Sequence, residues 1–210
     1  MQRCVSDRRS QRGFTLLEVL VAVLILAIGV VGMLGLQAAS LQANRDVRQQ
    51  SSAVRLATEL GEMMRANKAV AIQATAGNNP YLLSNFTGTM PSATVNCFTQ
   101  ICTSTQLAQS DIYGWLTRIQ GTAAVTGVSS NVPGELPGAR VVVCFDATPY
   151  DGGGLPQWEC SNSGGMVVVK IGWTRLGTSR GTSTADGSNA LGLNEAARPS
   201  VVMPLIAGNT

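Results

Sequence analysis

Residues 19–44 carry no charged side chain, and Leu, Val, Ile, Ala, Gly and Met occupy the first eighteen positions of that run. Few folds tolerate such a segment. Wound as a helix rising about 1.5 Å per residue, roughly 20 such residues cross the hydrocarbon core of a bilayer. The run therefore predicts a membrane span. Arg3, Arg8, Arg9 and Arg12 precede it against a single Asp7, and the remaining chain then holds 11 basic and 11 acidic side chains. Positive charge on that flank predicts a cytoplasmic N-terminal side and a body on the opposite side of the membrane. A neutral body without a Lys/Arg cluster lacks the electrostatic footprint of a nucleic-acid binder. The absence of His removes the commonest acid/base group and metal ligand.

Glu18 is the anomaly in this segment. A carboxylate just inside an apolar run costs a few kcal/mol to place in lipid unless it finds a partner. Read as a secretory signal, the segment would be cut near Gln37-Ala38-Ala39-Ser40, where small residues follow the apolar stretch. That reading leaves Glu18 unexplained. Cleavage between Gly13 and Phe14 explains it, because the new amino group of Phe14 is a cation that the Glu18 of a neighbouring copy can neutralise.

The stretch R-G-F-T-L-L-E-V-L-V-A-V-L-I-L-A-I-G-V-V-G resembles the class III signal of type IV pilins and pseudopilins. The resemblance implies that a prepilin peptidase cuts after Gly13, that Phe14 is methylated on its new amino group, and that Glu18 serves assembly. Gly29, Gly32 and Gly35 recur at spacing three within the span. Small residues there permit close helix approach or local melting, and Gly is also simply tolerated in membrane helices.

Past the span the pattern becomes amphipathic. Leu41, Val47, Val54, Ala57, Leu60 and Met64 recur near period 3.6 between charged and polar positions, which predicts one helix from Phe14 to about Lys68 whose outer half packs on a body. A second helix is expected after Cys102, capped by Ser104 or Thr105 and lined by Ala108, Ile112, Trp115 and Ile119. Residues 136–144 and 166–175 read as two strands joined by a Gly- and Pro-rich turn. Residues 75–96 and 176–200 read as loops, and the end near 200–206 as an edge strand because of Pro204. Trp115 and Trp173 are expected in the core, with Trp158 left open.

Cys4 lies among the first thirteen residues, and the other four cysteines form two close sets. Proximity favours Cys97–Cys102 and Cys144–Cys160 as disulfides in an oxidising compartment. A zinc site is the weaker alternative, since the spacing is not that of paired knuckles. Asp151, Asp186 and Glu195 lie in Gly-rich loops without the calcium-loop pattern, so they read as solvated carboxylates. No nucleophile elbow or triad is present, and neither a catalytic role, a cofactor nor a metal is expected.

The segments S-A-V-R-L-A-T-E-L-G-E-M-M-R-A-N, C-T-S-T-Q-L-A-Q-S-D-I-Y-G-W-L and L-P-G-A-R-V-V-V-C resemble PilV-type minor pilins. That resemblance implies an α+β pilin fold, in which a long N-terminal helix, transmembrane in its first half and amphipathic in its second, packs on a small antiparallel sheet. It divides the chain into a cleaved leader (1–13), a transmembrane or filament-core helix (14–39), its amphipathic continuation (40–72) and an extracytoplasmic body (73–210). Its implied partners are other major and minor pilins, the prepilin peptidase, the inner-membrane assembly platform and membrane lipid, with no nucleic acid. Its implied role is initiation and assembly of a type IV pilus supporting twitching motility and adhesion, from an inner-membrane precursor to the extracellular pilus. A minor pseudopilin of type II secretion and a pilus-tip adhesin are the alternatives.

Overall fold

The computed structural model describes residues 15–91, 95–97, 99–122, 132–174 and 198–205. Its first element is α1, Leu16–Ala66, a helix of 51 residues. Contacts divide the chain into two units, residues 1–45 and 46–210, so α1 contributes to both. Arg65 in the last turn suits the negative end of the helix dipole. Asn67 then separates α1 from the short α2, Lys68–Ala71, and its amide donates to the Ser104 carbonyl at 2.6 Å.

Helix α3 spans Ser104–Gln120. Its cap is Thr103 rather than Ser104 or Thr105. The Thr103 hydroxyl accepts the Gln106 N–H, and the Gln106 side chain accepts the Thr103 N–H, which satisfies two otherwise orphaned donors reciprocally. Gly121 ends the helix at φ 91°, where a side chain is disfavoured. A Cβ on Gly134 would stand 2.2 Å from the Gln120 carbonyl carbon, so only Gly permits the chain to cross the end of α3 here.

Four strands, β1 (Leu83–Phe86), β4 (Arg140–Phe145), β5 (Val167–Gly172) and β6 (Val201–Leu205), form an antiparallel sheet in the order β1-β4-β5-β6. The two-residue β2 (Gly121–Thr122) and β3 (Val132–Pro133) make a separate pair. Val-rich β4 and β5 are the central strands, paired from Arg140↔Gly172 to Phe145↔Val167. Their β-branched side chains suit a sheet covered on both faces. Strand β6 lies at one edge with Pro204 opposite Val168, as its sequence predicted. Strand β1 lies at the other edge, with an irregular register between Leu83 and Phe86. It falls within the 75–96 region expected to be loop, because L-S-N-F is too short and polar to announce a strand.

One face of the sheet meets the helices. Val141, Val143, Val169 and Ile171 join Leu56, Leu60 and Met64 of α1 and Ile112, Trp115 and Ile119 of α3 in a single core. Trp115 is fully buried, and its indole N–H donates to the Leu56 carbonyl at 2.8 Å, tying α3 to the C-terminal part of α1. A Cβ on Gly61 would touch Leu205 Cδ2 at 3.4 Å, which marks how closely α1 approaches β6. The apolar stripe of α1 departs from expectation at three positions. Leu41, Val47 and Val54 are 64%, 67% and 43% exposed, whereas Ala53 and Leu56 are fully buried. Adjacent helical residues are about 100° apart around the axis, so Val54 points aside once Ala53 faces the sheet.

The opposite face of the sheet buries Val142, Cys144, Val168 and Lys170. The chain between β4 and β5 folds over these residues and is attached there by the Cys144–Cys160 disulfide.

Candidate functional site

Within residues 15–45 the chain is a helix with every large apolar side chain on its surface. Leu16 is 83% exposed and Leu36 75%, and the intervening Leu, Val, Ile and Met residues are exposed all round. The hydrophobic effect makes so much exposed hydrocarbon unfavourable in water, so this surface requires lipid or packed neighbours. The helix is long and apolar enough to cross a membrane. Gly29, Gly32 and Gly35 have open space where a Cβ would stand, so nothing in the monomer demands them.

Glu18 sits in the first turn of this helix, where a negative charge meets the positive dipole end. Its N–H bonds to the Thr15 carbonyl at 3.0 Å and to the Thr15 hydroxyl at 3.3 Å, so Thr15 caps the helix. Thr15 went unnoticed in the sequence reading, although T-L-L-E has the spacing of an N-terminal capping motif. Its effect is to fix Glu18 in the turn nearest Phe14. The expected processing residues Gly13 and Phe14 lie outside the described residues.

The body carries no comparable reactive constellation among the described residues. Cys97 is bonded to Cys102, with Cα atoms 5.6 Å apart, and Cys144 to Cys160, with Cα atoms 6.4 Å apart. Cys144, Cys160 and Asp146 place potential ligand atoms within 4.8 Å of one another. Both sulfurs are already bonded and Asp146 is paired with Lys170 at 2.6 Å, so this is not a free ligand set. Asp151 Oδ1 accepts the N–H groups of Gly153 and Leu155, while Oδ2 pairs with Arg198 at 2.7 Å. The expected solvated carboxylate instead organises its turn. Asp186 and Glu195 lie outside the described residues. Trp158 is half-buried with the Arg140 guanidinium 4.4 Å from its ring centroid, and Trp173 is buried.

Two polar pairs in the body contain a buried group whose pKa is shifted by its surroundings. Burial and the Asp111 carboxylate push the Tyr81 hydroxyl well above the usual phenol range, and its O–H donates to Asp111 at 2.8 Å. For Asp146, burial opposes the charged form, but Lys170, the Thr148 and Ser161 N–H groups and the Ser161 hydroxyl outweigh it and hold the carboxyl below its ordinary value of 3.8. A depressed carboxyl pKa contributes stability that is complete above the unfolded value and is lost as pH falls through the folded one. The denaturation midpoint of the full chain in detergent is therefore expected to stay level from about pH 7 to about pH 5 and to fall in stronger acid. Asp146→Asn should flatten that fall. An identical acid slope in the variant would assign the effect to other carboxylates, such as Glu135, which Arg55 also holds low.

Two family models match adjoining parts of the chain. The prokaryotic N-terminal methylation motif matches residues 8–34, and type IV pilin Tt1218 matches residues 35–113. No curated protein and no solved structure gives a significant match.

Proposed function

Starting from a chain that belongs to the type IV pilin-like family, whose members are structural subunits rather than enzymes, we propose that it is a PilV-like minor pilin acting in initiation and assembly of the pilus. Its pilin role and membrane anchoring follow from the family and the apolar helix. The low-copy assembly role, with twitching motility and adhesion as downstream traits, is our own reading. It is supported by the Ser52-to-Asn67, Cys102-to-Leu116 and Leu136-to-Cys144 segments, whose sequences resemble PilV-type minor pilins.

The mechanism follows from one observation: a lone carboxylate, Glu18, stands at the capped first turn of α1, directly before the uncharged, hydrocarbon-covered stretch 19–44. In the proposed sequence a prepilin peptidase cuts after Gly13 and Phe14 becomes the methylated N-terminus. The Phe14 amine of one subunit then pairs with Glu18 of the next as the helices leave lipid for the filament. The leader remains cytoplasmic and the body periplasmic until the subunit enters the pilus. Other pilins, the peptidase and the inner-membrane platform are the proposed partners.

Intact-mass and N-terminal analysis of protein extracted from cells carrying their own prepilin peptidase tests this directly. A chain starting at N-methylated Phe14 and gaining four protons on reduction supports the processing and both disulfides together. A chain starting near Ala39 or Ser40 would be an ordinary secreted protein, and the pilin mechanism would fall. Abundance in sheared filaments distinguishes the minor from the major role, since a minor subunit is expected at a few per cent or less of the main pilin.

A further inference from the structure

Cys160 is flanked on both sides by backbone groups that two buried side chains hold. Lys170 Nζ donates to the Glu159 carbonyl at 2.5 Å and lies 2.6 Å from Asp146 Oδ2, with both side chains fully buried. Asp146 Oδ1 accepts the Ser161 N–H at 3.1 Å and the Thr148 N–H at 3.0 Å. The Ser161 hydroxyl in turn accepts the Ala147 N–H at 2.9 Å. Residues 159 and 161 are thus tied to β5 and to the chain just beyond β4, and Cys160 between them faces Cys144.

Stability alone does not explain such a pair. Replacing a buried ion pair by well-packed apolar side chains is often neutral or stabilising, because desolvating two charges offsets their attraction. What charge-assisted hydrogen bonds offer over apolar contact is direction. Lys170 and Asp146 accept only a segment that presents a carbonyl and an N–H at the right separation, and residues 159–161 do so. The body holds four cysteines, for which three pairings exist.

We propose that the buried Lys170–Asp146 pair is a template for the Cys144–Cys160 disulfide, docking residues 159–161 at the end of β4 before the sulfurs join and so selecting that pairing. The redox step uses a small-molecule or protein disulfide as oxidant. One cysteine thiolate attacks it, forming a mixed disulfide and expelling a thiolate. The second cysteine, as thiolate, then displaces the remaining oxidant sulfur. The S–S bond of the oxidant is broken and that of the protein is formed; two electrons pass to the oxidant, and the two protons lost by the cysteines end, through solvent, on its two product thiols. Docking lowers the entropic cost of closing the loop and raises the effective concentration of one sulfur at the other. By linkage, the formed disulfide strengthens the ion pair by the same factor.

The test is redox equilibration of the full-length chain in detergent with reduced and oxidised glutathione, followed by acid quenching, alkylation and peptide mass spectrometry. The two disulfides are scored separately, so Cys97–Cys102 serves as an internal reference for folding. Lys170→Met is expected to lower the equilibrium constant for Cys144–Cys160 by about tenfold or more, as loss of a charge-assisted hydrogen bond requires. Cys97–Cys102 should stay within about twofold of wild type if the two sites are independent. The double variant Asp146→Asn with Lys170→Met leaves no unpaired buried charge, and the selective shift is expected to persist in it. A Cys144–Cys160 constant at the wild-type value in the double variant overturns the template, as does a parallel fall at both disulfides.

Discussion

Glu18→Ala is expected to yield a subunit that is cut and methylated normally but accumulates in the membrane and is scarce in filaments. The substitution removes hydrogen-bonding and charge at one position while leaving the apolar helix and the Thr15 cap intact. Breaking one side of a buried charge pair costs about 3–5 kcal/mol, because the remaining charge is left without a partner in a medium that solvates it poorly. At about 1.4 kcal/mol per factor of ten, even the lower figure corresponds to roughly a hundredfold loss in the filament-to-membrane ratio. Quantitative immunodetection of sheared filaments and membranes measures this ratio, with Glu18→Asp as a partial rescue. Equal ratios for Glu18→Ala and wild type would eliminate the charge-pairing mechanism while leaving family membership untouched.

The second large effect is expected at Trp115. The side chain is fully buried where α1, α3 and the sheet meet, and its indole N–H is committed to the Leu56 carbonyl. Truncation to Ala should destabilise the body by about 3–5 kcal/mol through lost burial and a residual cavity. Trp115→Phe retains much of the volume but loses the hydrogen bond and should cost about 1–2 kcal/mol, most of it the hydrogen bond. Urea denaturation of the full chain in detergent reads both. A Trp115→Ala loss below about 1 kcal/mol would mean that this junction is not the centre of the core.

The sequence made the helices and central strands legible because their patterns were long or repetitive. The apolar run and its basic flank announced the first half of α1, and the Val-rich runs announced β4 and β5. Ala108, Ile112, Trp115 and Ile119 were identified as the inner face of α3, and all are buried. Other features depended on tertiary contacts that local pattern does not encode. Ala53 packs while Val54 is exposed because the sheet chooses the face of α1, and Ala reads equally well inside or outside. The L-S-N-F of β1 becomes a strand only by pairing with β4. Lys170 is a single charged position within the strand segment M-V-V-V-K-I-G, and nothing local indicates that Asp146 would meet it under a loop. The candidate assembly residue was legible for the opposite reason. Glu18 is conspicuous because its surroundings are uniformly apolar, and a misplaced charge is easier to read than a well-placed one.

The two sheet edges have a bearing on polymer form. In a pilus, many bodies are held side by side at very high local concentration, a setting in which free strand edges tend to recruit one another. Here β6 contributes Pro204, which has no N–H to offer an incoming strand, and β1 is four residues long with a broken register. Neither margin is a good template for lateral strand addition. Contact between neighbouring bodies then has to come from side chains and loops rather than from shared strand hydrogen bonds.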